Sequence, residues 1–310
     1  MTPSNLNAYQ NKTLFDRIEK ATARLASCQI CPRKCGVNRL ENETGICQTG
    51  VRAVVSSFAP HFGEEAPLVG RYGSGTIFFS GCSLMCNFCQ NQDISHQISG
   101  TEVSPEELAD IMIGLQKQRV HNINLVTPTH VVPQILQALP PAIEKGLHLP
   151  LVYNSGGYDT VDSLKLLDGI IDIYMPDFKF SKELSATFYC KAPDYPERAK
   201  SALREMHRQV GDLVFDDHHR AIKGLLVRHL VMPDDVTGTK AVLHFLANEI
   251  SPNTYVNIMD QYYPCGDIGE FKELSRKITP EEFQDAVQAA KAAGLSRLDN
   301  KERDFLFQWR

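Results

Sequence analysis

In the segment GTIFFSGCSLMCNFC, residues 75–89, an apolar strand runs directly into a loop that carries three cysteines. From Gly75 onward, apolar β-rich runs alternate with helical patterns. The predicted strands contain TIFF, NINLV, LPLVYN, IDIYMPDF, LLVRHLV and TYVNIMD. Continuous apolar strands linked by helices predict an α/β protein with a parallel sheet, and six such units favour a partial (β/α)6 TIM-like barrel.

Length and composition exclude several classes of protein. With 310 residues, 43% of them hydrophobic, the chain can bury a full core in one barrel-sized domain. The N-terminus lacks the apolar segment of a secretory signal and the Arg-rich pattern of a transit peptide. No apolar run approaches the roughly 18 residues of a membrane span, so we expect a cytoplasmic protein without a membrane partner. A net charge of −5 gives no general attraction to nucleic acid.

Nine cysteines in a chain of this expected location indicate metal or redox chemistry rather than a disulfide framework. Four lie in residues 28–47 and three in residues 82–89. We therefore divide the chain into an N-terminal helix and four-cysteine metal-binding module, residues 1–74, and a barrel with a C-terminal extension, residues 75–310. Within the barrel, Ser104 and Thr279 each precede a proline and a glutamate in capping-box order, which predicts two helix starts.

The three-cysteine loop follows the first predicted strand, at the edge of a parallel sheet where ligands bind. Cys82, Cys86 and Cys89 have the spacing C-x3-C-x2-C, and no fourth cysteine lies nearby in the sequence. Three thiolates can hold a [4Fe-4S] cube and leave one iron open to a substrate. The alternatives are a zinc knuckle or unrelated buried cysteines, although structural zinc normally has four ligands.

The C-x3-C-x-aromatic-C loop, with Phe88 as the aromatic residue, resembles the signature of radical S-adenosylmethionine (SAM) enzymes. The closest likeness is to activating enzymes of the pyruvate formate-lyase type, in a branch with an additional N-terminal cysteine motif. The resemblance implies that the open iron binds SAM and that a reductant such as flavodoxin or ferredoxin supplies an electron. The resulting 5′-deoxyadenosyl radical would abstract hydrogen from a peptide, a protein or a small metabolite.

The same resemblance implies several SAM-binding residues around the barrel mouth. Asp177 and Lys179 lie two apart at the end of the fourth predicted strand and resemble the D-x-K pair of activating enzymes. Arg228 lies inside an apolar strand and resembles a SAM-carboxylate-binding arginine, and Asn154 would lie near the SAM ribose or amino acid. An exposed ion pair remains the alternative for Asp177 and Lys179, and a structural ion pair for Arg228.

The family's Gly-Gly-Glu motif does not appear, since TPTH stands at residues 127–130 in its place. We expect backbone carbonyls, Thr127 or Thr129 to substitute for that motif, and His130 to face the substrate. In the sixth predicted strand, a further set of side chains reaches the same rim by alternation: Asn257, Met259 and Gln261.

Cys28, Cys31, Cys35 and Cys47 form a second motif, C-x2-C-x3-C-x11-C. Four thiolates suit either closed tetrahedral zinc or a second, fully ligated iron–sulfur cluster. A nucleic-acid-binding zinc ribbon is disfavoured, because the few basic residues there are not interleaved with aromatic ones.

Two functional classes therefore stand against each other. The first is a radical SAM enzyme, and the second is a non-catalytic iron–sulfur electron carrier or redox sensor. The predicted mouth with Asp177, Lys179 and Arg228 favours the enzyme, since a carrier needs no such site. The sequence assigns no catalytic residue, and it gives no role to Cys190 or Cys265.

Overall fold

A computed structural model describes residues 2–269 and 271–299 of the chain. The strands are β1 (Ala53–His61), β2 (Ser74–Phe79), β3 (Thr101–Val103), β4 (Ile123–Val126), β5 (Leu151–Ser155), β6 (Ile173–Pro176), β7 (Val214–Phe215), β8 (Ala221–Leu230) and β9 (Tyr255–Met259). The α-helices are α1 (Ser4–Gln10), α2 (Thr13–Ala23), α3 (Ala66–Val69), α4 (Gln92–Ser95), α5 (Pro105–Lys117), α6 (Val132–Glu144), α7 (Val161–Leu166), α8 (Glu183–Cys190), α9 (Tyr195–Val210), α10 (Thr239–Phe245) and α11 (Pro280–Ala293).

The strands form one sheet in the order β3-β1-β2-β4-β5-β6-β8-β7, and β9 pairs with β8. Strands β2, β4, β5, β6, β8 and β9 pair in parallel, each with the next, and helices connect them. These are the six strands that the sequence predicts, so the α/β class with a parallel sheet is confirmed. Among the described residues no pairing joins β9 back to β2, and the sheet is open.

The two predicted capping boxes are present. The Ser104 side chain accepts a hydrogen bond from the backbone N–H of Glu107, and the Glu107 carboxylate accepts one from the backbone N–H of Ser104. Thr279 and Glu282 form the same reciprocal pair at the start of α11. Each pair satisfies two backbone N–H groups that a helix start leaves free, and so fixes where α5 and α11 begin.

The sheet is covered on both faces, which explains why its strands are apolar without strict alternation. On one face, Tyr153 and Tyr174 belong to the large core shared with the helices. On the other face, residues of neighbouring strands form a smaller apolar cluster with Leu68: Val152, Ile173, Met175 and Leu226. Further along the second face, at the carboxyl ends of the strands, the side chains become polar, and this change marks the candidate site.

The N-terminal residues are packed onto this sheet. Helix α2 contacts α6, and β1 pairs antiparallel with β2, from Val55 opposite Phe79 to His61 opposite Ser74. Strand β1 was not predicted from the sequence. The proposed boundary after residue 74 stays a prediction, although β1 makes residues 53–61 part of the central sheet. No helix in the described part of the chain is long and apolar enough to cross a membrane.

Candidate functional site

Polar side chains from four neighbouring strands meet at the carboxyl edge of the sheet. Asp177 forms a bridge opposite Arg228, and Arg228 lies opposite Asn257 in the pairing of β8 with β9. Asn154 lies on β5 opposite Met175, two residues before Asp177. Because side chains two apart share a face, these four residues point to the same side of the sheet. The fold thus brings together residues that the sequence places more than a hundred positions apart.

Four of the predicted residues form one hydrogen-bonded chain. The Arg228 guanidinium donates through Nε to Asp177 Oδ1 at 2.8 Å and through NH2 to Asn154 Oδ1 at 2.7 Å. Lys179 Nζ donates to Asp177 Oδ2 at 2.5 Å. The side chains of this hydrogen-bonded network are mostly buried, which contradicts the alternative of an exposed surface pair. Asp177 therefore serves two cations at once, one with each carboxylate oxygen.

The charges in this chain stabilise one another. Burial alone would raise the pKa of Asp177, but Arg228 and Lys179 outweigh it and hold the pKa of the carboxyl below its ordinary value. Burial would likewise lower the pKa of Lys179, yet the Asp177 carboxylate raises it. Asp177, Lys179 and Arg228 therefore favour one another's charged forms.

Glu65 also belongs to this hydrogen-bonded network, and the sequence analysis missed it. Asn257 Nδ2 donates to Glu65 Oε1 at 2.9 Å, and the same oxygen lies 4.0 Å from Arg228 Nε. Burial raises the pKa of Glu65, and the nearby Arg228 charge opposes that rise. No local signal could have revealed this residue, because Glu65 lies before β2 and its partners lie on the last two parallel strands.

The three-cysteine loop lies beside this polar chain. Cys86 and Cys89 line a cavity of about 230 Å³, which is also lined by Asp177, Lys179 and Arg228. Leu230, Met259 and Gln261 also line the cavity, as does Phe88, whose ring packs edge to face on Phe180. The rim position predicted for Met259 and Gln261 agrees with this cavity, whereas Asn257 is buried against Glu65.

The donor set of the loop fits an iron–sulfur cluster. Burial raises the pKa of the Cys82 thiol to about 12, and the Lys179 charge and the backbone N–H of Leu84, 3.3 Å from Cys82 Sγ, act in the opposite direction. Buried thiols of this kind become thiolates when a metal centre offsets the burial cost. Among the described residues, no group of three or more His, Cys, Asp or Glu side chains has the arrangement of a single-ion site.

The fold places two further cysteines at the loop, although no fourth cysteine lies nearby in the sequence. Cys190, at the end of α8, lies with its Sγ 3.1 Å from Cys86 Sγ. Cys265 Sγ donates to the Phe88 carbonyl at 3.4 Å. Sequence spacing could not show this, because these contacts join residues 104 and 177 positions apart.

His130 does not face the candidate cavity, so its predicted role toward substrate is wrong. The side chain is fully buried, and its Nε2–H donates to the Ser80 carbonyl at 3.0 Å. Burial and then the Arg39 charge lower the pKa of His130 to about 4. The TPTH segment is instead part of the support beneath the loop. Just after the end of β5, Gly157 lets two backbone segments approach closely, because an added Cβ would lie 2.1 Å from the Asp177 carbonyl oxygen.

The N-terminal cysteines lie together on a knuckle. Cys28, Cys31 and Cys47 are buried and Cys35 is exposed. The Cys28 backbone N–H donates to the Val37 carbonyl at 2.9 Å, which closes the turn. An added Cβ at Gly45 would lie 2.6 Å from Cys35 Sγ, so a glycine is needed there to make room for the thiol. The metal at this site stays a prediction.

Comparisons with known proteins agree with a cluster at the loop. Residues 70–145, which contain β2 and the three loop cysteines, match the family described as a 4Fe-4S single cluster domain. Among solved structures, the chain is similar to a radical S-adenosylmethionine methyltransferase, TsrM, from Kitasatospora setae, with tryptophan substrate and a SAM analogue bound. The identity is 12% and the TM-score 0.47, over 70% of this chain and 52% of that one. At that TM-score the likeness is too weak to indicate a common fold.

A relative among curated proteins covers nearly the whole chain. Over 298 residues the chain is 31% identical to the uncharacterized protein MJ0674 of Methanocaldococcus jannaschii. The match spans 93% of this chain and 81% of the archaeal protein, so it includes the N-terminal cysteines as well as the sheet. The chain therefore belongs to the same family as MJ0674 of Methanocaldococcus jannaschii.

Proposed function

We propose that this protein is a radical SAM enzyme whose reaction takes place in the cavity beside the three-cysteine loop. One observation carries the proposal: Cys86 and Cys89 share a cavity of about 230 Å³ with Asp177, Lys179 and Arg228. The match of residues 70–145 to a 4Fe-4S family supports the cluster. A cavity with both thiols and charged groups suits a cluster-bound substrate better than a cluster that only carries electrons.

The residues of the cavity have distinct proposed roles. Cys82, Cys86 and Cys89 would hold a [4Fe-4S] cluster with one open iron. Lys179 and Arg228 present cations that suit the carboxylate of SAM, and Asp177 holds both of them in position. When bound, the reduced cluster would supply one electron for cleavage of SAM to methionine and a 5′-deoxyadenosyl radical, which takes a hydrogen atom from the substrate.

The proposed fold of the site is a partial barrel. Glu65 precedes β2 and hydrogen bonds Asn257 on β9, although β2 and β9 are the first and last of the six parallel strands. In a flat sheet, five spacings of about 4.8 Å would separate those strands. A sheet that curves around the polar face brings the segment before β2 against β9.

Two partners belong to the proposal. A one-electron donor of the flavodoxin or ferredoxin class would reduce the cluster. The hydrogen atom would come from a peptide or protein, as it does in activating enzymes of the pyruvate formate-lyase type, which the loop motif resembles. Fold and loop are shared by enzymes with different substrates, so product analysis must identify the substrate.

The test is formation of 5′-deoxyadenosine. The protein is reconstituted anaerobically with iron and sulfide, reduced with dithionite and mixed with SAM. We expect 5′-deoxyadenosine from the native chain and none from the triple variant Cys82→Ala, Cys86→Ala, Cys89→Ala. Asp110→Asn is the control, since it changes an exposed residue outside both cysteine clusters. Cleavage by the triple variant, or no cleavage by a cluster-loaded native chain, would refute the proposal.

A non-catalytic electron carrier is the second candidate, and the position of Cys190 favours it. Its thiol beside Cys86 could close the cluster with a fourth ligand. However, thiolates on different irons of a cube stand well beyond contact distance, so Cys190 would have to move before it could bind. A carrier would show a reducible cluster and no SAM cleavage in the same experiment.

A further inference from the structure

A buried arginine lies between the third and fourth N-terminal cysteines, in the short turn Arg39–Glu41. Arg39 is only 1% exposed. Its Nε donates to the Gly50 carbonyl at 3.0 Å, and its NH1 donates to the His130 carbonyl at 2.7 Å. Its NH2 is buried without a hydrogen-bond partner. Within residues 2–269 and 271–299, no carboxylate lies within ion-pair distance of Arg39, and the oxygen atoms that its guanidinium contacts are neutral carbonyl oxygens.

A buried charge without a counter-charge is unfavourable, and proteins normally pair such a group. The side-chain atom that can become an anion beside Arg39 is Cys28 Sγ, which lies 4.0 Å from Arg39 NH1. A neutral thiol would not balance the guanidinium. Four thiolates around zinc, or around an iron–sulfur cube, leave negative charge in excess and would balance it.

The surroundings of the cysteines fix the backbone of the knuckle. The Ile30 carbonyl, between Cys28 and Cys31, accepts hydrogen bonds from Thr160 Oγ1 at 3.1 Å and Ser163 Oγ at 2.6 Å. These bonds fix the knuckle against the start of α7. Gly45 leaves space for the Cys35 thiol, and Cys31 lies near enough to the other three cysteines to interact electrostatically with each of them.

We propose that Cys28, Cys31, Cys35 and Cys47 bind a metal centre as thiolates, and that Arg39 is its buried counter-ion. Arg39 is a positioning residue: it joins the centre to the His130 carbonyl beneath the three-cysteine loop. The ligand chemistry is a set of four thiolates, which zinc and a [4Fe-4S] cluster share. This inference does not depend on SAM chemistry at the loop.

The first test is metal analysis of the full chain in the triple variant Cys82→Ala, Cys86→Ala, Cys89→Ala, purified without oxygen. We expect about one zinc or about four irons per chain, and the metal found distinguishes a zinc site from a [4Fe-4S] cluster. Adding Cys28→Ser and Cys47→Ser should abolish that metal. If the triple variant holds neither zinc nor iron, or if the two added substitutions leave its content unchanged, the proposal is overturned.

The second test addresses Arg39. In the triple variant, Arg39→Gln should weaken metal retention against a competing chelator by about 10- to 100-fold, as expected for a group that supports metal ligands. Arg39→Lys keeps the charge and should lose less. The matched control is Arg52→Gln, which removes an exposed arginine. Equal chelator resistance of the Arg39→Gln and Arg52→Gln variants would overturn the role of Arg39.

Thermal stability distinguishes a counter-ion role of Arg39 from a purely structural one. The counter-ion role predicts effects of opposite sign with and without the metal. With the metal bound, Arg39→Gln should lower the melting temperature. In a chain with all four N-terminal cysteines replaced by serine, the same substitution should raise it, because it removes an unbalanced charge. A loss of the same size in both chains would show that Arg39 acts only through its carbonyl contacts. Should the four-serine chain not fold, the chelator measurement decides alone.

Discussion

Asp177 lies between two cations, and its replacement by asparagine tests whether the polar chain is a buried network. Its oxygens lie 2.8 Å from Arg228 Nε and 2.5 Å from Lys179 Nζ. The side chains of Asp177, Arg228 and Lys179 are 12%, 19% and 21% exposed. Removing one partner of a buried ion pair costs about 3–5 kcal/mol, because the other charge is left unpaired. The partial exposure to the cavity places the expected loss near the lower end, about 3 kcal/mol.

The assay is urea unfolding of the cluster-free protein, followed by far-UV circular dichroism. Asp110→Asn is the matched control, since Asp110 pairs with Lys145 at 2.7 Å in an exposed position. That substitution should cost less than about 1 kcal/mol. Adding Arg228→Gln to Asp177→Asn should cost less than the sum of the two single losses, because the residues share one network. Equal losses for Asp177→Asn and Asp110→Asn would refute the buried network.

Three further outcomes follow from the structure. When the pH falls from 7.5 to 5, the free energy of unfolding should decrease by about 2 kcal/mol through His130, because its pKa is near 6.5 in the unfolded chain and about 4 in the folded chain. His130→Leu should flatten this part of a pH–stability curve. An unchanged slope would contradict the assignment. Gly81→Ala should lower the free energy of unfolding by at least about 2 kcal/mol, because φ is +83° and the new Cβ would lie 2.3 Å from the Cys47 carbonyl oxygen. Gly114→Ala is the control: it has open space around the new Cβ and should be neutral or stabilising in the same thermal scan. Cys190→Ser should leave iron content and SAM cleavage intact despite its contact with Cys86, and loss of both would make Cys190 a cluster ligand.

The sequence predicted the features that depend on neighbours along the chain. The six parallel strands, the two capping boxes and the position of the loop after β2 follow from apolar runs, helix-start residues and cysteine spacing. Asp177 could be placed at a strand end, and Arg228 inside an apolar strand. Their mutual pairing could not be predicted, because it depends on the register between β6 and β8.

What the sequence could not predict depends on contacts between distant segments. Glu65 and Cys190 lie in loops and helix ends without a pattern of their own, and only folding brings them to the polar chain and the loop. The incorrect expectation for His130 has a related cause. A strand-end position indicates an edge of the sheet, but the His130 side chain is buried and hydrogen bonds the Ser80 carbonyl, a contact that no local pattern reveals.

The pairing of β1 with β2 has a practical consequence for dissecting this protein. A fragment that begins at residue 75 would keep the three loop cysteines and the polar residues at the ends of the parallel strands. It would lack β1. Strand β2 would then present unpaired backbone groups along an apolar strand that contains Ile77 and Phe79. Exposed strands of this kind serve as templates for pairing with other chains. We expect such a fragment to aggregate, and a fragment that begins before Ala53 to stay monodisperse in size-exclusion chromatography.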